Sequence, residues 1–252
     1  MKKIIVMTIV AVLVLSAGSV LADYYGGRMN YARVTGYAGT TGGGEFTLYP
    51  VPGHPYLDNS AYSTLTKNIG GYANSFQTFC VEMYEYTEHP MDIWVSTTEV
   101  DETTGNLTGN PGSHAILGGK NGAGNWNLGD NLDPMTAYLY THFAYGTLAG
   151  YIYTPGPGRV ASATALQDAI WYIENEKGGP LTGQALAFYN AAKNAVDSGS
   201  WTGIGQVRVL NMYTVSGGVK LRQDMLWVPA PAAIILGLMG LSAVGLWMRR
   251  RA

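Results

Sequence analysis

An α+β fold is predicted for this chain: a strand-rich sandwich or barrel-like body, with about three helices inserted between a cysteine-bearing strand and a C-terminal hairpin. Three features of the sequence point to it. Aromatic and β-branched residues concentrate in Phe76–Tyr84, stretches with helical spacing and capping signals follow between 133 and 199, and two alternating segments flank Ser216-Gly217-Gly218. The 34 glycines and 18 tyrosines agree with a chain rich in strands and turns.

Taken in order, Tyr31–Tyr37 and Glu45–Val51 are predicted as short strands, separated by the flexible turn Gly39-Thr40-Thr41-Gly42-Gly43-Gly44. Phe76–Tyr84 is the strongest strand; a period of two places Phe79, Val81 and Met83 on one face and Cys80 on the other, beside Phe76, Thr78, Glu82 and Tyr84. Residues 100–133 are dominated by Gly, Asn, Asp and Thr, which favour turns, and are expected to form a long loop or hairpin excursion. Asp133-Pro134 supplies an N-cap and a first-turn proline for a helix to about Leu148. Further helices are expected over about Val160–Lys177, stopped by Gly178-Gly179-Pro180, and from near Thr182 to Ser198-Gly199. Gln206–Thr214 and Val219–Val228 form the closing hairpin.

The two ends have a different character. Met1-Lys2-Lys3, an apolar run from Ile4 to Leu15, and the small residues before Val20-Leu21-Ala22 match a secretory signal, with cleavage expected after Ala22. At the other end Val228-Pro229-Ala230-Pro231 opens an apolar run through Met248, closed by Arg249, Arg250 and Arg251. The run as a whole is just long enough to cross about 30 Å of hydrocarbon, with residues 232–248 in the membrane before processing and the arginines on the cytoplasmic side. This arrangement resembles the PEP-CTERM sorting signal, with Ala230 where the namesake motif has Glu. The resemblance implies an exosortase-type processing protease as partner, which removes the helix and passes the protein to the cell surface, outer envelope or extracellular matrix. A plain C-terminal membrane anchor is the alternative. The expected organisation is a signal peptide (1–22), an extracellular body (23–227) and a sorting segment (228–252).

The body then carries 10 basic and 17 acidic residues, a net charge of about −7. Clustered Lys and Arg are absent, so nucleic acid is not an expected partner. Cys80 is the single cysteine, which excludes an internal disulfide and leaves three roles: buried apolar filler, intermolecular link or reactive group. On a helical wheel Ala163, Leu166, Ile170 and Trp171 form an apolar stripe with Gln167 inside it. An unpaired buried carboxamide costs roughly 2 kcal/mol or more. Either strand carbonyls or water satisfy this one, or the amide has been consumed.

Thr78-Phe79-Cys80-Val81 and Leu166-Gln167-Asp168-Ala169-Ile170-Trp171 together resemble the paired motifs of bacterial thioester domains, over about residues 72–180. The resemblance implies an internal Cys80–Gln167 thioester, with Trp171 beside the bond; Leu166 stands where the family usually has Thr. The Cys80 thiolate attacks the Gln167 carbonyl, ammonia leaves, and the resulting electrophile acylates an incoming amine or hydroxyl. Water must be excluded, so aromatic cover is expected from Phe79 and Trp171, with Tyr84 and Tyr172 as further candidates. The function expected is single-use covalent adhesion to a surface or matrix molecule, without enzymatic turnover and without cofactor or metal. The alternative is a non-catalytic surface or biofilm-matrix protein with a structural Cys80.

Other chemistries find little support. No Gly-x-Ser-x-Gly elbow occurs, His54, His89, His114 and His142 show no paired spacing, and P-loop and dinucleotide fingerprints are incomplete. Asn121–Asp133 is rich in oxygen ligands that could hold calcium, although its spacing departs from the EF-hand; a solvated turn is the default. Glu82, Glu85 and Glu88 trail the Cys80 strand and could form an acidic patch, with a solvated strand edge as the default.

Overall fold

A computed structural model describes residues 24–40, 42–53, 67–95, 98–101, 106–111, 114–115, 130–218 and 220–228. The signal-peptide and sorting-segment expectations lie outside these residues, apart from Val228 at the start of the latter. So does most of 121–133, where calcium was considered. Among the described residues no helix is long and apolar enough to cross a membrane.

The fold is α+β. Its strands are β1 (Tyr24–Ala32), β2 (Phe46–Pro50), β3 (Lys67–Ile69), β4 (Tyr72–Thr78), β5 (Met91–Val95), β6 (Thr98–Asp101), β7 (Asn106–Pro111), β8 (His114–Ala115), β9 (Asp130–Asn131), β10 (Arg208–Thr214) and β11 (Lys220–Trp227). Helices α1 (Pro134–Ala144), α2 (Pro157–Ile173) and α3 (Gly183–Asp197) lie between β9 and β10. Seven strands make one antiparallel sheet in the order β11-β10-β5-β1-β2-β4-β3, while β6–β7 and β8–β9 pair separately in the excursion expected as loop or hairpin.

The large sheet curls into a half-barrel because the chain leaving β4 returns to its far edge. Thr78 Oγ1 donates to the Leu226 carbonyl at 2.6 Å, the Leu226 N–H to Phe79 O at 3.1 Å and the Val81 N–H to Asp224 O at 3.0 Å. Cys80 sits in the middle of this seam, bridged to Met225. Strand β4 therefore ends earlier than the aromatic run suggests, and residues 79–81 pair with β11 instead.

Side-chain alternation then sorts the interior into two clusters. Phe79, Val81, Val209 and Leu226 pack towards the helices, against Leu139, Phe143, Leu166 and Ile170. Phe76, Cys80, Leu210, Met212, Met225 and Trp227 fill the hollow of the sheet with Met29, Leu48 and Ile93. Met83, expected beside Phe79 and Val81, packs on this second cluster instead, because the chain turns after Val81 and the period of two lapses. The α2 stripe straddles both clusters: Ala163, Leu166 and Ile170 face the first, and Trp171 reaches into the second.

Several boundaries differ from expectation. The first strand runs Tyr24–Ala32, not Tyr31–Tyr37; the Tyr37 N–H bonds Val34 O at 3.0 Å in a turn that Gly36 completes at a φ of 83°. Helix α1 stops at Ala144 rather than Leu148. Helix α2 starts three residues early, because Pro157 suits a first turn that lacks N–H acceptors, and ends at Ile173, where Asn175 turns the chain at a φ of 62°. The Asp133 cap is as expected, accepting the Met135 N–H at 2.7 Å.

A buried ion pair ties α2 to the sheet. Arg159 grips Glu45 with two bonds, Nε to Oε2 at 3.0 Å and Nη2 to Oε1 at 2.6 Å, and reaches Gln77 Oε1 at 2.7 Å. Tyr151 donates to the same Glu45 at 2.6 Å, and the Tyr37 ring lies 4.2 Å from the guanidinium carbon. Removing one partner of such a pair leaves a buried charge uncompensated, at about 3–5 kcal/mol. Arg159→Met is expected to lower stability by that amount in urea unfolding of the full chain, whereas Lys193→Ala, which breaks the exposed Lys193–Asp197 pair, leaves the midpoint unchanged.

Candidate functional site

The seam and α2 bring Cys80 and Gln167 together, and both are fully buried. The Gln167 carboxamide oxygen accepts two backbone N–H groups, from Gly44 at 2.8 Å and from Cys80 at 3.0 Å. Its nitrogen donates to the Cys80 carbonyl at 2.9 Å. Strand and loop backbone thus offer partners to both the oxygen and the nitrogen of the glutamine, and the same bonds fix the direction in which its carbonyl carbon faces.

Burial pushes the Cys80 thiol well above its usual range and the Glu82 charge adds to this, while the Gly44 N–H, Arg33 and the Cys80 N–H act in the opposite sense. The two backbone N–H groups that bond the Gln167 oxygen are thus the same ones that act on the thiol. Two donors on one carbonyl oxygen are the arrangement that stabilises charge building on that oxygen when a nucleophile adds to the carbon.

The loop supplying Gly44 is held from two sides. Arg33 Nη1 donates to Gly42 O at 2.9 Å and Gly43 O at 2.7 Å, and its Nη2 bonds Gly39 O. On the helix side the Thr40 N–H donates to Thr164 Oγ1 at 3.0 Å. Contact with the site is close: a Cβ on Gly43 would lie 2.5 Å from Gln167 Cγ and 2.6 Å from the Trp171 ring, and one on Gly44 would lie 2.8 Å from Phe79 Cδ1. Expected as a flexible turn, this glycine run is instead the tight cover of the site, since only residues without side chains let the backbone approach so near.

Phe79 and Trp171 both lie against the glycine backbone beside Gln167. The Phe79 ring stacks edge-on against Phe143 with centroids 4.9 Å apart, and Trp171 is buried against Gly43 with its Nε1 lacking a hydrogen bond. Tyr84 and Tyr172 do not contribute to the cover. Tyr84 is half exposed, and Tyr172 packs edge-on against Tyr189 of α3. Gly43, Gly44 and Arg33 were not singled out from sequence; the glycine run carried the signal, but its distance from Gln167 in the chain hid the contact. Along the outer side of this loop runs a groove lined by Thr35, Thr40, Val160, Thr164, Asp168 and Gln184.

His89 stacks on Tyr31 with centroids 4.3 Å apart, and His142 bonds Thr147 through Nδ1 at 2.9 Å. The solvated edge expected for Glu82 and Glu85 is overturned: they are 3% and 8% exposed, because the chain folds under β11 after Val81. Glu88 is exposed and bonds Arg222. No family model, curated protein or solved structure matches the chain.

Gly43→Ala is expected to destabilise the protein by about 1–3 kcal/mol through overpacking against Gln167 and Trp171. Chemical denaturation followed by the fluorescence of Trp171 and the other tryptophans would measure it.

Proposed function

We propose that Cys80 and Gln167 form an internal thioester and that the protein uses it once, to acylate an amine or hydroxyl on a surface or matrix molecule. The observation that carries this reading is the docking of the Gln167 carboxamide on Cys80, its oxygen held by the Gly44 and Cys80 N–H groups and its nitrogen by the Cys80 carbonyl. The Cys80 sulfur adds to the Gln167 carbonyl carbon, the oxyanion is held by those two donors, and the C–N bond breaks. The thiol proton leaves on the departing nitrogen as ammonia, whose place is beside the Cys80 carbonyl. An external amine or hydroxyl then attacks the acyl carbon and frees the thiol, so the Gln167 side chain ends as an amide or ester of the target. Each chain reacts once, which makes it an adhesive and not a turnover enzyme.

Burial serves this chemistry in two ways. It keeps water from the acyl group, and it sets the thioester beneath the Gly43–Gly44 backbone that Arg33 holds down. The groove beside Thr40 and Thr164 is the approach for the nucleophile. Delivery to the outer envelope or matrix rests on the two terminal sequence segments: the signal peptide and the PEP-CTERM-like end, processed by an exosortase-type protease. A second reading, a non-covalent matrix protein with a structural Cys80, is favoured by one observation: the intact Gln167 amide has backbone partners for both its oxygen and its nitrogen.

Intact mass separates the two. Compared with Cys80→Ala, the wild-type protein is expected to be lighter than its sequence by one ammonia, and methylamine should restore mass as an adduct mapped to residue 167. Glutamate at 167 in peptide maps marks a hydrolysed thioester and supports the bond; unmodified masses for both proteins, with glutamine at 167, sink it. Arg33→Ala, which releases the carbonyls of Gly39, Gly42 and Gly43, is expected to speed methylamine consumption about tenfold, the equivalent of about 1.4 kcal/mol.

A further inference from the structure

A buried group of acidic side chains lies immediately beyond the seam. Carboxylate oxygens of Glu82, Glu85 and Asp224 lie within 4.8 Å of one another, and the three residues are 3%, 8% and 3% exposed. Glu85 turns into this group. It accepts the Asp224 backbone N–H, while its Oε2 is shut off from solvent and has no hydrogen-bond partner. The Glu176 charge acts on Glu85 as well, and the Met83 N–H fixes Glu176 through Oε2 at 3.1 Å. The nearby cation is Arg222, which also bonds the exposed Glu88. Carboxylates gathered this closely out of water repel one another, and an oxygen with no donor in reach has lost its hydration without replacement.

We propose that Glu82, Glu85 and Asp224 form a calcium site that joins the turn after Cys80 to β11. The donor set is oxygen alone, with neither histidine nor cysteine in the group, which suits a hard cation over zinc or copper. Calcium takes oxygens at about 2.3–2.6 Å, so any two ligands of one ion lie within about 5 Å of each other, a limit this group meets; waters complete the shell. The Glu85 Oε2 gains a partner, and the repulsion within the group gains a counter-ion. The ion also reinforces a specific contact. Residues 81–86 and 223–224 already meet through the Val81 N–H on Asp224 O at 3.0 Å and the Gln223 N–H on Tyr86 O at 3.3 Å, and the cation clamps both sides of that junction. None of this depends on the thioester.

The test uses the purified full-length chain, freed of metal with EDTA and titrated with CaCl2 alone in a calorimeter and in thermal unfolding. One saturable site is expected, with a Kd of about 10⁻⁴–10⁻³ M, as in extracellular modules. At a tenfold excess over Kd the unfolding midpoint should rise by about 3–6 °C. Glu85→Gln and Asp224→Asn should each weaken binding at least tenfold, while Cys80→Ala leaves it intact whether or not a thioester forms. Should Glu85→Gln fail to fold, the wild-type titration and Asp224→Asn decide. No saturable heat and no midpoint shift in the wild type would overturn the site, as would undiminished binding in the folded variants; magnesium binding as tightly as calcium would overturn the calcium assignment.

Discussion

The carboxamide of Gln167 is the point on which the two halves of the fold depend. Its three hydrogen bonds reach a loop preceding β2 and the seam beyond β4, and they run from the face of α2 that separates the helix-side cluster from the hollow of the sheet. Hydrophobic burial holds helix and sheet together but is indifferent to small slides between them. A directional group at the boundary removes that freedom, because any slide would leave buried N–H groups on Gly44 and Cys80 without their acceptor.

Glu45 and Arg159 fix the same interface one strand position along from Gly44. The carboxylate begins where the glycine loop ends, so the ion pair sets where the loop re-enters the sheet, and Arg33 sets how it crosses. Polar contacts thus bracket the Gly43–Gly44 backbone on both sides. Such an arrangement explains how a run rich in glycine, costly in entropy to order, is held at contact distance from Trp171.

What could be read from sequence was what local chemistry decides. Asp133-Pro134, Thr182 and Ser198 mark helix ends through backbone capping, and Gln167 stood out because an amide in an apolar stripe is anomalous wherever the helix packs. Strand β5 went unnoticed although Met91–Val95 carries Ile, Trp and Val, since it is short and follows His89-Pro90; only pairing with β1 and β10 makes it central. Tyr31–Tyr37 misled because aromatic density does not distinguish a strand from the turn that follows it. The acidic residues after Cys80 looked like solvated surface because charge alone argues for water, and the return of the chain beneath β11 is a long-range event. The glycine loop is hidden for a related reason: Arg33 is near in the chain, but the helix partners that complete its hold, Thr164 and Gln167, are more than a hundred residues away.

The seam between residues 79–81 and β11 also has a mechanical side. Its hydrogen bonds lie across the strands, so tension applied beyond Val228 and directed along β11 loads them in shear, together, and does not unzip them one by one. The first lateral neighbours to take that load are β10 and the segment holding Cys80. The cysteine therefore sits where a pull on the C-terminal hairpin enters the body, and a covalent link from Cys80 to α2 would pass the force directly to the helices.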